Sequence, residues 1–334
     1  MLKLMDCTLR DGANVVGKGF NAELTEMMLE GLSDCGVDYI ELGNAGGIGA
    51  YEVAGFTDAL TDEAYLELAQ PYLQRAQIGM FLNAKRYRKQ SVELAADRGL
   101  AFLRVGVDAD ESELAEASIR EIKSRGLRAF YSAMKAYLLT PEEIAETARR
   151  LEDAGLDEFT IMDSAGCMLP DEVSRMTEAL VRAVHIPVAF HGHNNLGLSA
   201  ANALAAYGSG ASILDCGLMG MARSAGNLPT EVAVALLQKS GELKHIDLYS
   251  LLHFLQRLES VMKIGCGYAD PISPFDLVLG MSGAHSSLAK QFQTAATERG
   301  VDLLRLVAEV SAENRKKPSE ELIRSVAARL VAEQ

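Results

Sequence analysis

Short apolar runs alternate along this chain with longer stretches whose apolar positions recur at helical spacing. Runs at 2–7, 38–42, 77–82, 102–107, 128–132, 158–162, 187–191 and 212–218 predict strands. Segments 22–35, 62–76, 112–124, 141–154, 170–184 and 197–206 predict helices between them. The punctuation agrees. Thr140-Pro141-Glu142-Glu143 supplies a cap, a proline at the first helical position and acids against the helix dipole. Gly36 and Gly155 stand where two of the helices should stop. Eight strands, each followed by a helix, predict an α/β fold, a closed (β/α)8 TIM barrel. An open doubly wound sheet would need a glycine-rich phosphate loop after its first strand, and Arg10-Asp11 follow there instead.

Past about residue 265 the pattern changes. Glycine and proline gather over 265–274, and 286–299, 302–314 and 319–332 predict three amphipathic helices. The expected organisation is a catalytic TIM barrel over 1–265 and a small helical appendage over 266–334, acting as a lid or a partner contact. So short a tail makes a poor free domain, so it should pack on the barrel or on a second subunit.

Polar residues collect at one end of the predicted strands. Arg10 and Asp11 follow the first, Glu41 and Asn44 end the second, and Asn83 ends the third. Asp108, Lys135 and Asp163-Ser164 follow the next three, and His191 and His193 close the seventh. That carboxyl end is where barrel enzymes carry their chemistry. Residues two apart on an extended backbone point the same way, so the two imidazoles aim at one spot. With Asp11 they form a partial shell for a divalent ion, leaving positions open for a substrate. After the eighth strand, 217–231 is rich in glycine and alanine around Arg223 and Asn227. It reads either as an anion-binding helix start with Asn227 facing the metal, or as a turn that only closes the barrel.

Composition narrows the field. The 334 residues include no apolar run long enough to span a membrane, and the N-terminus lacks the core of a secretory leader, so a cytoplasmic protein is expected. A net charge of −14 argues against a nucleic-acid surface, although local arginines can still bind a small anion. The five cysteines form no C-x-x-C pair and are expected as reduced, mostly buried thiols.

Four strings carry a family resemblance: Thr8-Leu9-Arg10-Asp11-Gly12, Asp163-Ser164-Ala165-Gly166, His191-Gly192-His193-Asn194-Asn195-Leu196-Gly197 and Ala225-Gly226-Asn227-Leu228-Pro229-Thr230-Glu231. On these, and over almost its whole length, the chain resembles the metal-dependent DRE-TIM lyase and aldolase superfamily. That superfamily includes isopropylmalate synthases, HMG-CoA lyases and 4-hydroxy-2-oxovalerate aldolases. The short tail with Gly283-Ala284-His285-Ser286-Ser287 is most similar to the aldolase branch. The synthases carry a longer linker and often a regulatory domain. The HMG-CoA lyases have a cysteine in the loop after strand eight, and Met219–Asn227 here has none.

The resemblance implies an enzyme that cleaves or forms a 4-hydroxy-2-oxo acid, giving pyruvate and an aldehyde. It implies a divalent ion on Asp11, His191 and His193, with Mn2+ first and Mg2+, Co2+ or Zn2+ as alternatives, and Asn227 as a further ligand. That ion would chelate the 2-oxo acid, Arg10 would stabilise the enolate, and Ser164 would bind the substrate carboxylate. A homodimer and an aldehyde dehydrogenase partner belong to the same expectation. Two positions depart from the aldolase pattern. Asn14 stands where the aldolases have a histidine base, and His285 where they have a tyrosine. An amide positions a substrate but takes no proton near neutral pH, so His285 becomes the candidate acid or base. His285 also reads as a helix-start residue with a capping role. A Claisen-type synthase joining an acyl-CoA to a 2-oxo acid, slightly favoured by Arg223, and a partner-dependent barrel subunit without its own base stay open as alternatives.

Overall fold

The computed structural model describes residues 1–266 and 274–332. Strands β1 (Lys3–Asp6), β2 (Tyr39–Leu42), β3 (Gln77–Asn83), β4 (Phe102–Asp108), β5 (Arg128–Met134), β6 (Glu158–Asp163), β7 (Val188–Gly192) and β8 (Ile213–Cys216) run parallel in chain order around a closed barrel. Closure comes from β8 against β1, with Met5 opposite Asp215 and Asp6 opposite Cys216. The predicted TIM barrel is therefore observed.

Period-two alternation sorts each strand between two environments. Outward residues such as Ile40, Leu42, Leu103, Val105 and Phe190 pack beneath the helices in the main apolar core. Inward residues change character from one end of the barrel to the other. At the amino end Met5, Tyr39, Phe102, Phe130 and Ile213 form an apolar plug, with the rings of Phe102 and Phe130 stacked at 4.6 Å. One inward step further, Tyr39 gives way to Glu41, Phe102 to Arg104 and Ile213 to Asp215, all fully or almost fully buried. The mouth lies above that charged layer.

Local chemistry explains most helix limits. Thr140 and Glu143 form the capping box on Pro141–Asp153, and Gly36 ends Ala22–Cys35 at φ 82°. Segment 62–76 does not form one helix. It is α-helical over Asp62–Ala69 and 3-10 over Gln70–Tyr72, because Pro71 has no N–H for the Glu67 carbonyl and its ring crowds that position. Likewise 112–124 divides into a 3-10 segment, Ala109–Ala115, and an α-helix, Glu116–Ser124.

The tail holds one more helix than the pattern predicted. Pro274–Ser282, Ala289–Arg299, Leu303–Asn314 and Glu320–Ala332 surround their own core of Phe292, Leu306, Val310, Val326 and Leu330. They also rest on the carboxyl face of the barrel. Arg315 lies over the Tyr137 ring, Lys316 pairs with Asp110, and the Gly280 backbone meets Asn195 so closely that a Cβ there would come within 2.6 Å. Most of the glycine- and proline-rich stretch expected at the junction, residues 267–273, lies outside the described residues. Cys7, Cys35 and Cys216 are buried, Cys167 is partly so, and all four are free thiols. Among the described residues no helix is long and apolar enough to cross a membrane.

Candidate active site

Asp11 follows β1 at the start of a 3-10 turn, and the residue is 1% exposed. Its Oδ2 lies 3.6 Å from His191 Nε2 and 3.8 Å from His193 Nε2, and one donor atom from each of the three lies within 4.8 Å of the others. His191 is in β7. His193, one residue beyond, is held by a bridge to Asn227 that ties this strand end to the loop after β8. Asn227 Nδ2 donates to Asp11 Oδ2 at 3.0 Å, while its Oδ1 is buried with no partner. The four residues expected to share one centre are brought together.

The protonation states suit a cation. Burial alone would raise the Asp11 carboxyl, but Arg10, His193 and Arg223 outweigh it and hold it well below the usual carboxylate range. Burial pushes His193 down to about 3, so its ring is neutral near pH 7. His191 Nδ1 lies 2.9 Å from Asp215 Oδ2, which places the ring proton on Nδ1 and leaves the buried Nε2 without a partner. A carboxylate, the neutral His193 ring, the His191 ring and two orphaned acceptors fit a divalent ion.

Arg10 sits beside them on a rigid mount. Its Nε donates to Glu41, its Nη1 lies 3.1 Å from Asp11 Oδ1, and its guanidinium covers the Phe81 ring at 4.8 Å. Nη2 is buried and unpartnered. Gly106 makes this stacking feasible, since a Cβ there would lie 2.1 Å from Phe81. Below, Arg104 links Glu41 at 2.7 Å to Asp215, whose carboxyl, despite burial, is held down to about 2 by Arg104 and His191. Cys7, His191 and Asp215 also cluster, yet Arg104 donates to both Cys7 Sγ and Asp215. Burial also pushes that thiol well up. A fixed cation already fills the role of an ion there.

These groups open on a cavity of about 320 Å³ that Asn14, Ser164, Lys135 and His285 also line. Ser164 Oγ accepts the Lys135 backbone N–H at 2.9 Å, so its own proton is free to donate. Asn14 Nδ2 donates to the Asp11 carbonyl at 2.9 Å. His285 reaches the mouth from the tail. Its Nδ1 accepts the Ser287 N–H at 3.2 Å and lies 2.8 Å from Ser287 Oγ, and burial pushes its pKa down to about 3. It both caps the Ser286–Leu288 turn and lines the cavity.

Several residues that the sequence places at the mouth serve as braces. Asn44 holds Gly46 and Phe56, Asn83 caps Lys85, and Asp163 accepts from the Cys167 and Met168 backbone. In the loop after β8, three of the amides are not available to an anion. The amides of Gly220, Gly226 and Asn227 are spent on carbonyls of the same loop. Arg104 and Asp215 escaped the sequence reading, although a charge inside an apolar strand run is itself a signal that a buried partner exists.

Residues 1–257 match the model of the HMGL-like family. The chain belongs to that family. It is 33% identical to a 4-hydroxy-2-oxovalerate aldolase of Pelotomaculum thermopropionicum over 90% of this chain and 88% of that one. It is also 33% identical to an oxaloacetate decarboxylase of Mycobacterium tuberculosis, over 91% of this chain and 89% of that one. The fold superposes on the carboxyl transferase domain of Rhizobium etli pyruvate carboxylase with a TM-score of 0.77. Identity there is 17%, over 99% of this chain and 60% of that one. The expectation of an enzyme of the lyase and aldolase superfamily, near the 4-hydroxy-2-oxovalerate aldolases, is borne out. Family members depend on a divalent metal, and this chain has groups able to hold one.

Proposed function

We propose that this protein is a divalent-metal-dependent aldolase that cleaves a 4-hydroxy-2-oxo acid to pyruvate and an aldehyde, or runs the reverse addition. The observation that carries the reading is the convergence of Asp11, His191 and His193 beside the unpartnered Nη2 of Arg10 on one cavity. Asp11, His191 and His193 would hold the ion, Mn2+ by preference, with Asn227 as a further donor. When bound, the ion supplies a Lewis acid for the oxygens of the 2-oxo acid.

The remaining work falls to side chains. Ser164 donates its hydroxyl proton to the substrate carboxylate. In cleavage the C4 hydroxyl loses its proton, the C3–C4 bond breaks, and its electron pair passes into an enolate. Arg10, already fixed by Glu41, Asp11 and Phe81, offers a cation to the enolate oxygen and needs no reorganisation. C3 then takes up a proton to give pyruvate. The hydroxyl proton goes to His285 Nε2 once the ring takes the tautomer whose Nδ1–H donates to Ser287 Oγ, which gives up the Ser287 N–H that Nδ1 otherwise accepts. Asn14 orients the hydroxyl and takes no proton.

Asn14 also supports a second reading. Loss of carbon dioxide from a 2-oxo dicarboxylate reaches the same enolate and needs no base for a hydroxyl, and one relative carries that activity in its name. Mn2+-loaded protein should be assayed for pyruvate release from 4-hydroxy-2-oxo acids and from oxaloacetate, with acetyl-CoA plus 2-oxo acids in parallel. Pyruvate with a stoichiometric aldehyde supports the aldolase. Carbon dioxide without aldehyde supports the decarboxylase, and free CoA thiol supports the synthase. A silent panel would point to a partner-dependent subunit.

A further inference from the structure

Five cations line the cavity of a chain whose net charge is −14, and they are not equivalent. Arg10 faces Glu41 and Asp11, Lys135 lies 2.9 Å from Asp108, and Arg223 lies 3.7 Å from Asp11. Lys18 and Arg86 face no carboxylate at ion-pair distance among the described residues, whereas the nearby Lys85 and Arg88 pair with Glu111 and Glu52. Both unpaired cations gather on one ring. Lys18 Nζ lies 4.8 Å, and the Arg86 guanidinium 5.7 Å, from the centroid of Phe56. Arg86 is anchored by donating to the Gly46 carbonyl at 2.7 Å, and its Nε is buried without a partner. A guanidinium partly stripped of water with an orphaned donor carries a desolvation penalty, and an arriving anion relieves it.

Their position adds the direction. Lys18 and Arg86 come from the loops after β1 and β3, whereas Ser164 and Lys135 follow β6 and β5. Phe81, Ala45 and Phe56 supply apolar wall on the Lys18 side. We propose that Lys18 and Arg86 form a second anion subsite, which binds an acidic group at the far end of the substrate. The aldehyde half is then itself an anion, carrying a carboxylate or a phosphate. The inference rests on the aldolase reading for what fills the rest of the cavity. The acidic group takes no part in the electron flow and sets position and specificity.

Binding of unreactive analogues tests the subsite directly. 2-Oxoadipate and 2-oxohexanoate share a six-carbon chain, differ in a terminal carboxylate, and lack the 4-hydroxyl needed for cleavage. Calorimetric titration of the Mn2+-loaded full chain should show the dicarboxylate binding about ten-fold tighter or better. The preference should collapse in a Lys18→Gln/Arg86→Gln double variant and persist in Lys18→Arg, with circular dichroism checking that each is folded. Equal binding in the wild type, no binding of the dicarboxylate, or a preference that survives the double variant overturns the subsite. In condensations with pyruvate, succinic semialdehyde and glyceraldehyde 3-phosphate should each be compared with butanal. A preference for either anion supports the subsite and names its group, and a preference for butanal overturns it. Exchange of the pyruvate methyl protons with D2O needs the enolate and no aldehyde, so it reports on the aldolase reading separately. Exchange with equal analogue binding sinks the subsite alone. A dicarboxylate preference without exchange keeps the subsite and sinks the aldol chemistry.

Discussion

His191 Nδ1 and Asp215 Oδ2 lie 2.9 Å apart, both almost completely buried, and the same carboxylate oxygen takes the Arg104 guanidinium. The contact sets the tautomer of His191 and turns its lone pair toward Asp11. It lies beneath the residues that line the mouth, so it acts on the proposed ion through the ring. Such partners typically alter metal affinity by about 10–100-fold. Asp215→Asn removes the charge and keeps the volume. It should weaken Mn2+ binding by that factor in a calorimetric titration while the barrel stays folded. Unaltered affinity would show that His191 needs no such partner.

The ligand set itself allows a sharper test. Asp11→Asn, His191→Ala and His193→Ala should each abolish aldolase turnover and strip the metal, with the circular dichroism spectrum retained. Full metal occupancy by elemental analysis in the double histidine variant would sink the site.

The barrel was legible because its strands are short apolar runs bounded by polar residues, and because Asp11, His191 and His193 sit at matching strand ends. The charged layer was not. Arg104, Glu41 and Asp215 are single polar letters within strands and Glu158 only opens one, and which charge meets which depends on register and shear around the closed barrel. The helices at Lys89–Asp97, Thr230–Lys239, Leu248–Cys266 and Pro274–Ser282 were also missed, the last because its apolar positions run nearly all round and show little periodicity. Lys18 and Arg86 carry no motif, and only the folded loops bring them to one ring.

Gly106 links packing to catalysis. A methyl group there meets the Phe81 ring at 2.1 Å, and Phe81 is the surface on which Arg10 lies. Gly106→Ala should cost about 1–3 kcal/mol of stability through overpacking. It should also lower turnover more than it raises KM, because a displaced Arg10 is missed most where enolate charge develops. A variant with normal kinetics would show that Arg10 keeps its place without that ring.

Glu158 gives the fold a pH dependence. Burial pushes its carboxyl from 4.5 up to about 8, so between those values the folded chain holds a proton that the unfolded chain has released. Stability therefore falls as pH rises through that window. Glu158→Gln mimics the protonated form and should flatten the slope of unfolding free energy against pH from about 4.5 to 8. Urea denaturation at a series of pH values measures it. Parallel slopes for variant and wild type would place the titration elsewhere, with Asp6 and Asp62, pushed up to about 6 and about 7, next in line.

His285 has two tasks that a pair of substitutions can separate. In one tautomer its Nδ1 accepts the Ser287 N–H and caps the Ser286–Leu288 turn, and in the other Nδ1 carries the proton and Nε2 is the candidate proton acceptor. Asparagine is a good cap and a non-base, so His285→Asn should keep the tail folded and the metal bound. Turnover should nevertheless fall by about two to four orders of magnitude, the usual contribution of a positioned base. His285→Ala should lose the cap as well and lower the melting temperature. With the ring pushed down to about 3 by burial, the base stays unprotonated through the physiological range. The acid limb that it imposes on kcat/KM should thus lie near pH 3, well below the ordinary histidine value of about 6.5. Full activity in His285→Asn would assign the residue to the cap alone. The hydroxyl proton would then need another acceptor, and decarboxylation, which requires none, would become the better reading.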